Sequence, residues 1–168
     1  MWKDPFDVTE IQRDFASISS IGMRVVRIFL TFEDFLPVDA TTVSQTAIDR
    51  LCMVADAALS ANVQLDVTFF CGHMSGPNRV AKWMLLPETK KPANVMQVVC
   101  GDEVFDCGYR NIYVDDVCVK AEETLVCAVV TALRTPKYRN AVALWNLANE
   151  PDLVNIPSVT EARVWVER

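Results

Sequence analysis

The chain has 168 residues, 51% of them hydrophobic, which is ample for the core of one ordinary domain. Its 22 acidic and 16 basic residues give a net charge of −6, and this charge disfavours nucleic acid and anionic membrane surfaces as partners. The longest apolar runs are too short and too polar to span a bilayer, so no membrane association is predicted.

Helices and strands are predicted to alternate along the chain, because segments with the apolar spacing of a helix alternate with short apolar runs typical of buried strands. Residues 8–21 have the helical spacing and end before Gly22, which is typical of a helix C-cap. The β-branched run at residues 24–30 predicts a strand, and residues 32–42 are predicted to be the loop that leaves it. In chain order, the predicted helices are residues 8–21, 44–61, 114–133 and 158–168, and the predicted strands are residues 24–30, 64–70 and 141–147.

A long segment rich in glycine, proline and asparagine, residues 71–113, separates the second strand from the third helix. It is too long to be a simple connection, so a functional loop is predicted. Cys100 and Cys107 flank GDEVFD in what the spacing suggests is a hairpin, and a bridge between them stays an alternative to two free thiols. The six cysteines include no CxxC pair, so no zinc site is predicted.

The order of elements is typical of parallel α/β units joined by right-handed crossovers. Three strands cannot close a barrel, which needs eight and typically about 250 residues. The alternative is a complete small doubly wound domain, which would leave two sheet edges and much apolar surface uncovered.

The stretch AVALWNLANEPD, residues 141–152, places an amide and a carboxylate at the end of a predicted buried strand. Asn149 and Glu150 follow the apolar run, and Pro151 is suited to stop the strand because it has no N–H. Ligands bind at the carboxyl ends of parallel strands, so this pair is expected to face a cleft. Neighbouring strand residues point to opposite faces, so both can serve one pocket only if the backbone bulges or the strand stops.

Three stretches together resemble the retaining glycoside hydrolases of the large (β/α)8 clan that includes the family 5 cellulases and mannanases. They are residues 22–37 (GMRVVRIFLTFEDFLP), residues 69–78 (FFCGHMSGPN) and WNLANEP in residues 145–151, in the family's order. The resemblance implies an α/β fold that is a partial TIM barrel, with three parallel strands equivalent to strands 2–4. Residues 1–168 would then be an incomplete catalytic domain that lacks the first strand and the C-terminal half.

The resemblance assigns the general acid/base role to Glu150, and it places the nucleophilic glutamate on a later strand outside these residues. Asn149 matches the family's asparagine that hydrogen-bonds the sugar 2-hydroxyl. The alternatives are a solvated loop glutamate and an asparagine that caps the following helix.

Arg27 lies inside the first predicted strand, where a buried cation is costly unless it is paired. The matching family arginine orients the nucleophile, and the alternative is a bridge from Arg27 to Glu33 or Asp34. His73 is the only histidine and follows the second strand. Matching family sites suggest that it hydrogen-bonds a sugar or a catalytic carboxylate, and the alternative is a surface or packing residue.

Two tryptophans are candidates for stacking on sugar rings. Trp83, in the long loop, is the candidate for substrate binding, with simple loop packing as its alternative. Trp145, inside the third strand, is predicted to fill the barrel interior instead.

The predicted function is hydrolysis of O-glycosidic bonds in a β-linked polysaccharide or glycoside by retaining double displacement. A carbohydrate substrate is expected, and neither a cofactor nor a metal. The alternative is a truncated, non-catalytic carbohydrate-binding pseudoenzyme. A nucleotide-binding domain is disfavoured because neither GxGxxG nor GxxxxGK[ST] occurs. The first ten residues lack the apolar core of a signal peptide, and cytoplasmic and secreted locations both stay open.

Overall fold

The computed structural model of the chain describes residues 2–87 and 97–168. Helices and strands alternate as the sequence predicts. The helices are α1 (Val8–Ser20), α2 (Phe32–Phe35), α3 (Gln45–Ser60), α4 (Asp116–Leu133), α5 (Pro151–Val154) and α6 (Val159–Glu167). The strands are β1 (Val25–Phe29), β2 (Gln64–Cys71), β3 (Asn78–Arg79), β4 (Val98–Cys100), β5 (Glu103–Phe105) and β6 (Val142–Asn149).

The main sheet has three parallel strands in the order β1-β2-β6, with the second strand in the middle, which is the order that three successive strands of a (β/α)8 barrel would have. Arg27 is paired with Asp66 across β1 and β2, and Cys71 is paired with Asn149 across β2 and β6. The register therefore brings the ends of β2 and β6 together at one edge of the sheet. A register shift between Leu65 and Asp66 interrupts the pairing of β2 with β6.

Helices α3 and α4 pack against the middle strand and bury its apolar side chains. Leu65 and Val67 of β2 are fully buried, as are Leu51 of α3 and Leu125 of α4. Burial of a leucine or valine side chain stabilises the fold by roughly 1.5–3 kcal/mol. Five of the described helices begin after a residue whose side chain accepts a hydrogen bond from the first turn, as expected for N-caps: Asp7, Thr31, Ser44, Asp115 and Ser158.

Two parts of the predicted loops contain regular structure. The first loop includes the short helix α2, which begins after Thr31, whose hydroxyl accepts a hydrogen bond from the backbone N–H of Asp34. The long segment includes a second small sheet in the order β3-β4-β5, with β4 and β5 antiparallel as the predicted hairpin requires. Cys100 and Cys107 are both free thiols, so the disulfide alternative is wrong.

The outer strand β6 exposes large apolar side chains. Leu144, Trp145 and Leu147 are 56%, 45% and 47% exposed. Trp145 stacks on Phe69, with ring centroids 5.6 Å apart, and it does not fill an enclosed interior in the described structure. None of the helices in residues 2–87 and 97–168 combines the length and apolarity needed to cross a membrane.

Candidate active site

The end of β6 carries the two polar side chains on which the sequence analysis centred. The strand ends at Asn149, and Glu150 adopts the left-handed conformation with φ 45° and ψ 52°. Pro151 then begins α5, where its missing N–H costs nothing. The sharp turn at Glu150 breaks the strand alternation, and the Asn149 amide nitrogen lies 3.4 Å from Glu150 Oε2. Both side chains therefore reach the same side of the sheet, which the sequence analysis expected only if the strand bulges or stops at this pair.

Asn149 also ties the end of β6 to the loop after β2. Its amide donates a hydrogen bond of 2.8 Å to the backbone carbonyl of His73. The thiol of Cys71 donates to the same carbonyl at 3.6 Å. Burial raises the pKa of the Cys71 thiol to about 11, so this thiol is neutral and serves as a packing residue.

Arg27 projects from β1 towards the other two strands. Its Nε donates to Thr68 Oγ1 at 2.7 Å and lies 3.9 Å from Asp66 Oδ2. Its Nη2 lies 3.5 Å from the Ala148 carbonyl, one residue before Asn149. The guanidinium also lies over the Phe29 ring, 4.8 Å from its centroid. These contacts hold the cation beside the Asn149–Glu150 pair.

The alternative bridge from Arg27 to the loop carboxylates is wrong. Glu33 pairs instead with Lys3 at 3.0 Å and with Arg79 at 3.6 Å, and Asp34 accepts a hydrogen bond from Thr31. The actual partners of Arg27 are Thr68 and Asp66 of β2, and neither was among the predicted site residues. The signal was present, because an aspartate and a threonine interrupt an otherwise apolar strand.

His73 is half-buried and hydrogen-bonded by its side chain to a residue that the sequence analysis did not select. Its Nδ1 lies 2.8 Å from Oδ1 of Asn78, which is 1% exposed. Asn78 also contacts the Tyr109 hydroxyl and the Leu153 carbonyl, so it joins the loop after β2 to the loop before α4 and to α5. Asn78 was visible only as the end of GHMSGPN, and Tyr109 gave no signal in the sequence.

Trp83 lies in a 3-10 turn of the long segment and uses its polar atom within the protein. Its indole Nε1 donates to the Leu36 carbonyl at 2.7 Å, and its ring meets Phe32 edge to face, with centroids 5.7 Å apart. The described contacts therefore fit loop packing, which was the alternative for this residue. Its role in substrate binding stays a prediction.

The structure thus brings Asn149, Glu150 and the backbone of His73 together at the carboxyl ends of β2 and β6, and the side chain of Arg27 reaches Ala148 beside them from the middle of β1. A cavity of about 410 Å³ lies at the opposite end of β6, beside Val142 and the end of α4, and is separate from this cluster. Within the part of the chain that the structure describes, no group of three or more histidine, cysteine, aspartate or glutamate side chains is arranged to hold a metal ion.

Comparison with known proteins finds relatives by structure. No protein-family model matches this chain, and no curated protein sequence matches it. A GH5_18 glycoside hydrolase from Bifidobacterium longum subsp. infantis superposes with a TM-score of 0.77 at 22% identity, over 99% of this chain and 36% of its own.

Two further solved structures superpose in the same way. One is a GH5_18 enzyme from Streptomyces cattleya, in which a glutamate is replaced with alanine, in complex with Manβ1-4GlcNAc. Its TM-score is 0.69 at 21% identity, over 90% of this chain and 31% of that one. The other is an exo-β-1,4-mannosidase from Opitutaceae bacterium strain TAV5, with a TM-score of 0.72 at 20% identity, over 94% of this chain and 24% of that one.

The chain therefore spans about a quarter to a third of the length of these enzymes. At this level of identity the likeness establishes the fold, and it confirms the predicted partial barrel with flanking helices. The predicted resemblance is confirmed in the same sense, because the structures that this chain matches are glycoside hydrolases of the expected family. The chain has the fold of one part of the (β/α)8 barrel of the GH5_18 glycoside hydrolases.

Proposed function

We propose that this chain is the proton-donating part of a retaining glycoside hydrolase, with β-mannosides as its substrate class. The observation that carries the proposal is the Asn149–Glu150 pair at the end of β6, beside the guanidinium of Arg27. Residues 1–168 form an incomplete barrel domain in this proposal, and the nucleophilic glutamate belongs to another part of the enzyme.

Glu150 has the position that a general acid/base needs. Its side chain is exposed at the strand end, where a leaving-group oxygen has access to it. It protonates the glycosidic oxygen in the first step, and as a carboxylate it removes a proton from water in the second. The nucleophile then has to lie about 5 to 5.5 Å from the Glu150 carboxyl, which is the separation that retaining enzymes use.

The neighbouring groups supply binding and charge. Asn149 has its amide between Glu150 and the loop after β2, a position from which it can also contact a sugar hydroxyl. Arg27 offers a cation fixed on the sheet by Thr68, suited to pair with the nucleophile. His73 and Trp83 complete the proposed substrate-binding set. A complex with Manβ1-4GlcNAc and an exo-β-1,4-mannosidase among the structural neighbours support β-mannosides as the substrate class.

The test replaces Glu150 with glutamine in the enzyme that contains this chain. Glutamine keeps the size of the side chain but cannot donate the proton. We expect turnover of a β-mannosyl disaccharide to fall by about a hundredfold to ten-thousandfold, the usual value of general acid catalysis. An aryl β-mannoside with an acidic phenol should lose much less in its first step, because that leaving group departs without protonation. The kcat/KM for each substrate, which reports the first step, measures the difference.

Added azide provides the second measurement, because it attacks the glycosyl-enzyme without needing a base. Azide should restore turnover of the aryl mannoside by Glu150→Gln and give a mannosyl azide of retained configuration. The matched control is Glu123→Gln, at an exposed glutamate on α4 that pairs with Lys120, and it should leave both rates unchanged. Equal losses on both substrates without azide rescue would assign Glu150 a binding role.

An intact enzyme that binds the disaccharide but turns over neither substrate would favour the pseudoenzyme alternative. The 168-residue chain alone should hydrolyse neither substrate.

A further inference from the structure

The His73 ring is held by one buried amide. Nδ1 of the ring lies 2.8 Å from Oδ1 of Asn78, and Asn78 is almost completely buried. No residue that the structure describes hydrogen-bonds the other ring nitrogen, Nε2. The ring therefore has one nitrogen hydrogen-bonded within the protein and one without a hydrogen-bond partner among the described residues, and the backbone of the same residue contacts Asn149.

The orientation of the Asn78 amide follows from its other contacts. Its nitrogen lies 2.9 Å from the Leu153 carbonyl oxygen, which can only accept a hydrogen bond. The same nitrogen lies 3.0 Å from the Tyr109 hydroxyl, which itself donates to the Val154 carbonyl and so accepts from Asn78. Both amide hydrogens are used, and the atom facing His73 has to be the amide oxygen.

An amide oxygen can only accept, so the ring nitrogen opposite it has to carry a hydrogen. We propose that Asn78 is a positioning residue that fixes neutral His73 in the Nδ1–H form, so that Nε2 presents a lone pair to a sugar hydroxyl. The tautomer follows from the contacts of Asn78 alone. The assignment of the ligand as a sugar rests on the proposed function.

The tautomer has a direct consequence for binding. A neutral His73 can accept a hydrogen bond from a hydroxyl through Nε2, but it cannot donate one to a carboxylate from that atom. In this form Nε2 fits the sugar contact that the family resemblance suggests for this histidine, because a sugar hydroxyl can donate to it. Loss of Asn78 would free the ring to rotate and to take up the other tautomer, which neutral histidine favours in water.

The chain allows a clean measurement because His73 is its only histidine. Long-range ¹H–¹⁵N correlation spectra of the histidine-labelled 168-residue chain, in alkaline buffer where imidazole is neutral, give the protonation of each nitrogen. We expect a protonated, pyrrole-like Nδ1 and an unprotonated, pyridine-like Nε2. The opposite pattern in the unsubstituted chain would overturn the proposal without reference to any enzyme activity.

Three variants separate positioning from a general structural effect. Asn78→Ala should shift the ring towards the Nε2–H form. Asn78→Asp keeps an oxygen opposite Nδ1 and should retain the Nδ1–H form, although it gives up both amide donors. Tyr109→Phe is the matched control, because it removes a hydroxyl from the same network but leaves the His73–Asn78 contact, so the Nδ1–H form should persist. A shift of the tautomer in Tyr109→Phe equal to that in Asn78→Ala would overturn the assignment to Asn78.

A kinetic experiment on the enzyme that contains this chain tests the contact with substrate. Asn78→Ala should raise KM for the disaccharide about tenfold, the value of one well-placed hydrogen bond, with a smaller change in kcat. Tyr109→Phe should leave KM close to that of the unsubstituted enzyme. The proposed contact with substrate would be overturned if the unsubstituted chain has the Nδ1–H form but Asn78→Ala leaves KM unchanged. Failure of the proposed function would instead appear as unchanged turnover of the disaccharide in Glu150→Gln.

Discussion

Two glutamates of this chain occupy opposite kinds of site. Glu122 lies on α4, 7% exposed, and the Trp165 indole N–H donates to both of its carboxylate oxygens at 3.0 and 2.9 Å. Burial raises its pKa to about 7, and the hydrogen bond from Trp165 and the charge of Arg168 offset only part of that rise. Glu150 is exposed at the end of β6, in a left-handed backbone conformation, with Asn149 as its neighbour.

In the proposed function, the carboxyl with the perturbed pKa and the catalytic carboxyl are different groups. Perturbed pKa values mark functional sites only as a tendency, because burial in a structural contact perturbs them as well. Glu122 borders a mostly apolar cavity of about 370 Å³ that is lined by residues of α4 and α6 together with Phe70 and Leu147. Glu150 lies instead at the end of β6, where the proposed function requires the proton donor, and it has a backbone conformation that glutamate seldom adopts. Such local strain is concentrated at functional sites.

The largest effect on stability is expected from the titration of Glu122. Its folded-state pKa, about 7, lies above the ordinary value of 4.5, so the folded chain holds more protons between these two values. Its contribution to stability is therefore fully present below about pH 4.5 and is lost as the pH rises through 7. The total is on the order of 3 kcal/mol. Urea unfolding between pH 5 and pH 8 measures this loss.

The control for that measurement is Glu122→Gln. Glutamine still accepts a hydrogen bond from the Trp165 indole but does not titrate. The stability difference between the two proteins should shrink or reverse in favour of the glutamine variant as the pH rises. Parallel stability curves for the two proteins would show that Glu122 does not carry the pH dependence.

A second prediction concerns the close approach of α5 to the end of β2 at Gly72. A Cβ at Gly72 would lie 2.9 Å from Val154 Cγ2 and 3.4 Å from the Arg79 carbonyl oxygen. Gly72 therefore allows α5, which follows Glu150, to pack on the end of β2. We expect Gly72→Ala to cost about 1–3 kcal/mol of unfolding free energy.

Val154→Ala supplies the matched background, because it removes the methyl groups that the new Cβ would meet. The cost of Gly72→Ala should be smaller in Val154→Ala than in the unsubstituted chain, and thermal or urea unfolding of the four proteins gives the coupling. Additive costs would mean that the contact between Gly72 and Val154 does not limit packing at this position.

The smallest effect is expected from relieving the backbone at Glu150. Asparagine adopts the left-handed conformation more readily than glutamate, so Glu150→Asn should raise the unfolding free energy by about 0.5–1 kcal/mol. Glu150→Gln is the control. Glutamine disfavours the left-handed backbone conformation as glutamate does, so this variant should leave the unfolding free energy unchanged. A stabilised but inactive Glu150→Asn enzyme would mean that this position trades stability for function. Equal stability of the asparagine and glutamine variants would argue against strain at Glu150.

Much of the fold was predictable because the relevant patterns are local. The apolar spacing of residues 44–61 and 114–133 predicts the helices that form, and the β-branched and apolar runs predict the three parallel strands. The order of the strands follows from right-handed crossovers between them. The polar pair after the third strand is likewise a local signal, since Asn149 and Glu150 interrupt an apolar run just before a proline.

Other features depended on contacts between residues far apart in the sequence. The partners of Arg27 lie on β2, about 40 positions later, so the polar residues of that strand were visible in the sequence but their pairing with Arg27 was not. The second sheet brings Asn78–Arg79 beside Val98–Cys100, across a segment that the sequence presents only as a loop. Short strands of this kind have too few residues to show a period.

The sequence by itself determined the order of the elements and the edge of the sheet at which chemistry is expected, because both follow from periodicity and from the direction of parallel strands. Only the tertiary structure decided which side chains meet at that edge. The left-handed turn at Glu150, the pairing of Arg27 with Asp66 and the orientation of Asn78 towards His73 each depend on the packing of distant segments. Such packing selects among backbone and side-chain conformations that the local sequence leaves nearly equal in free energy.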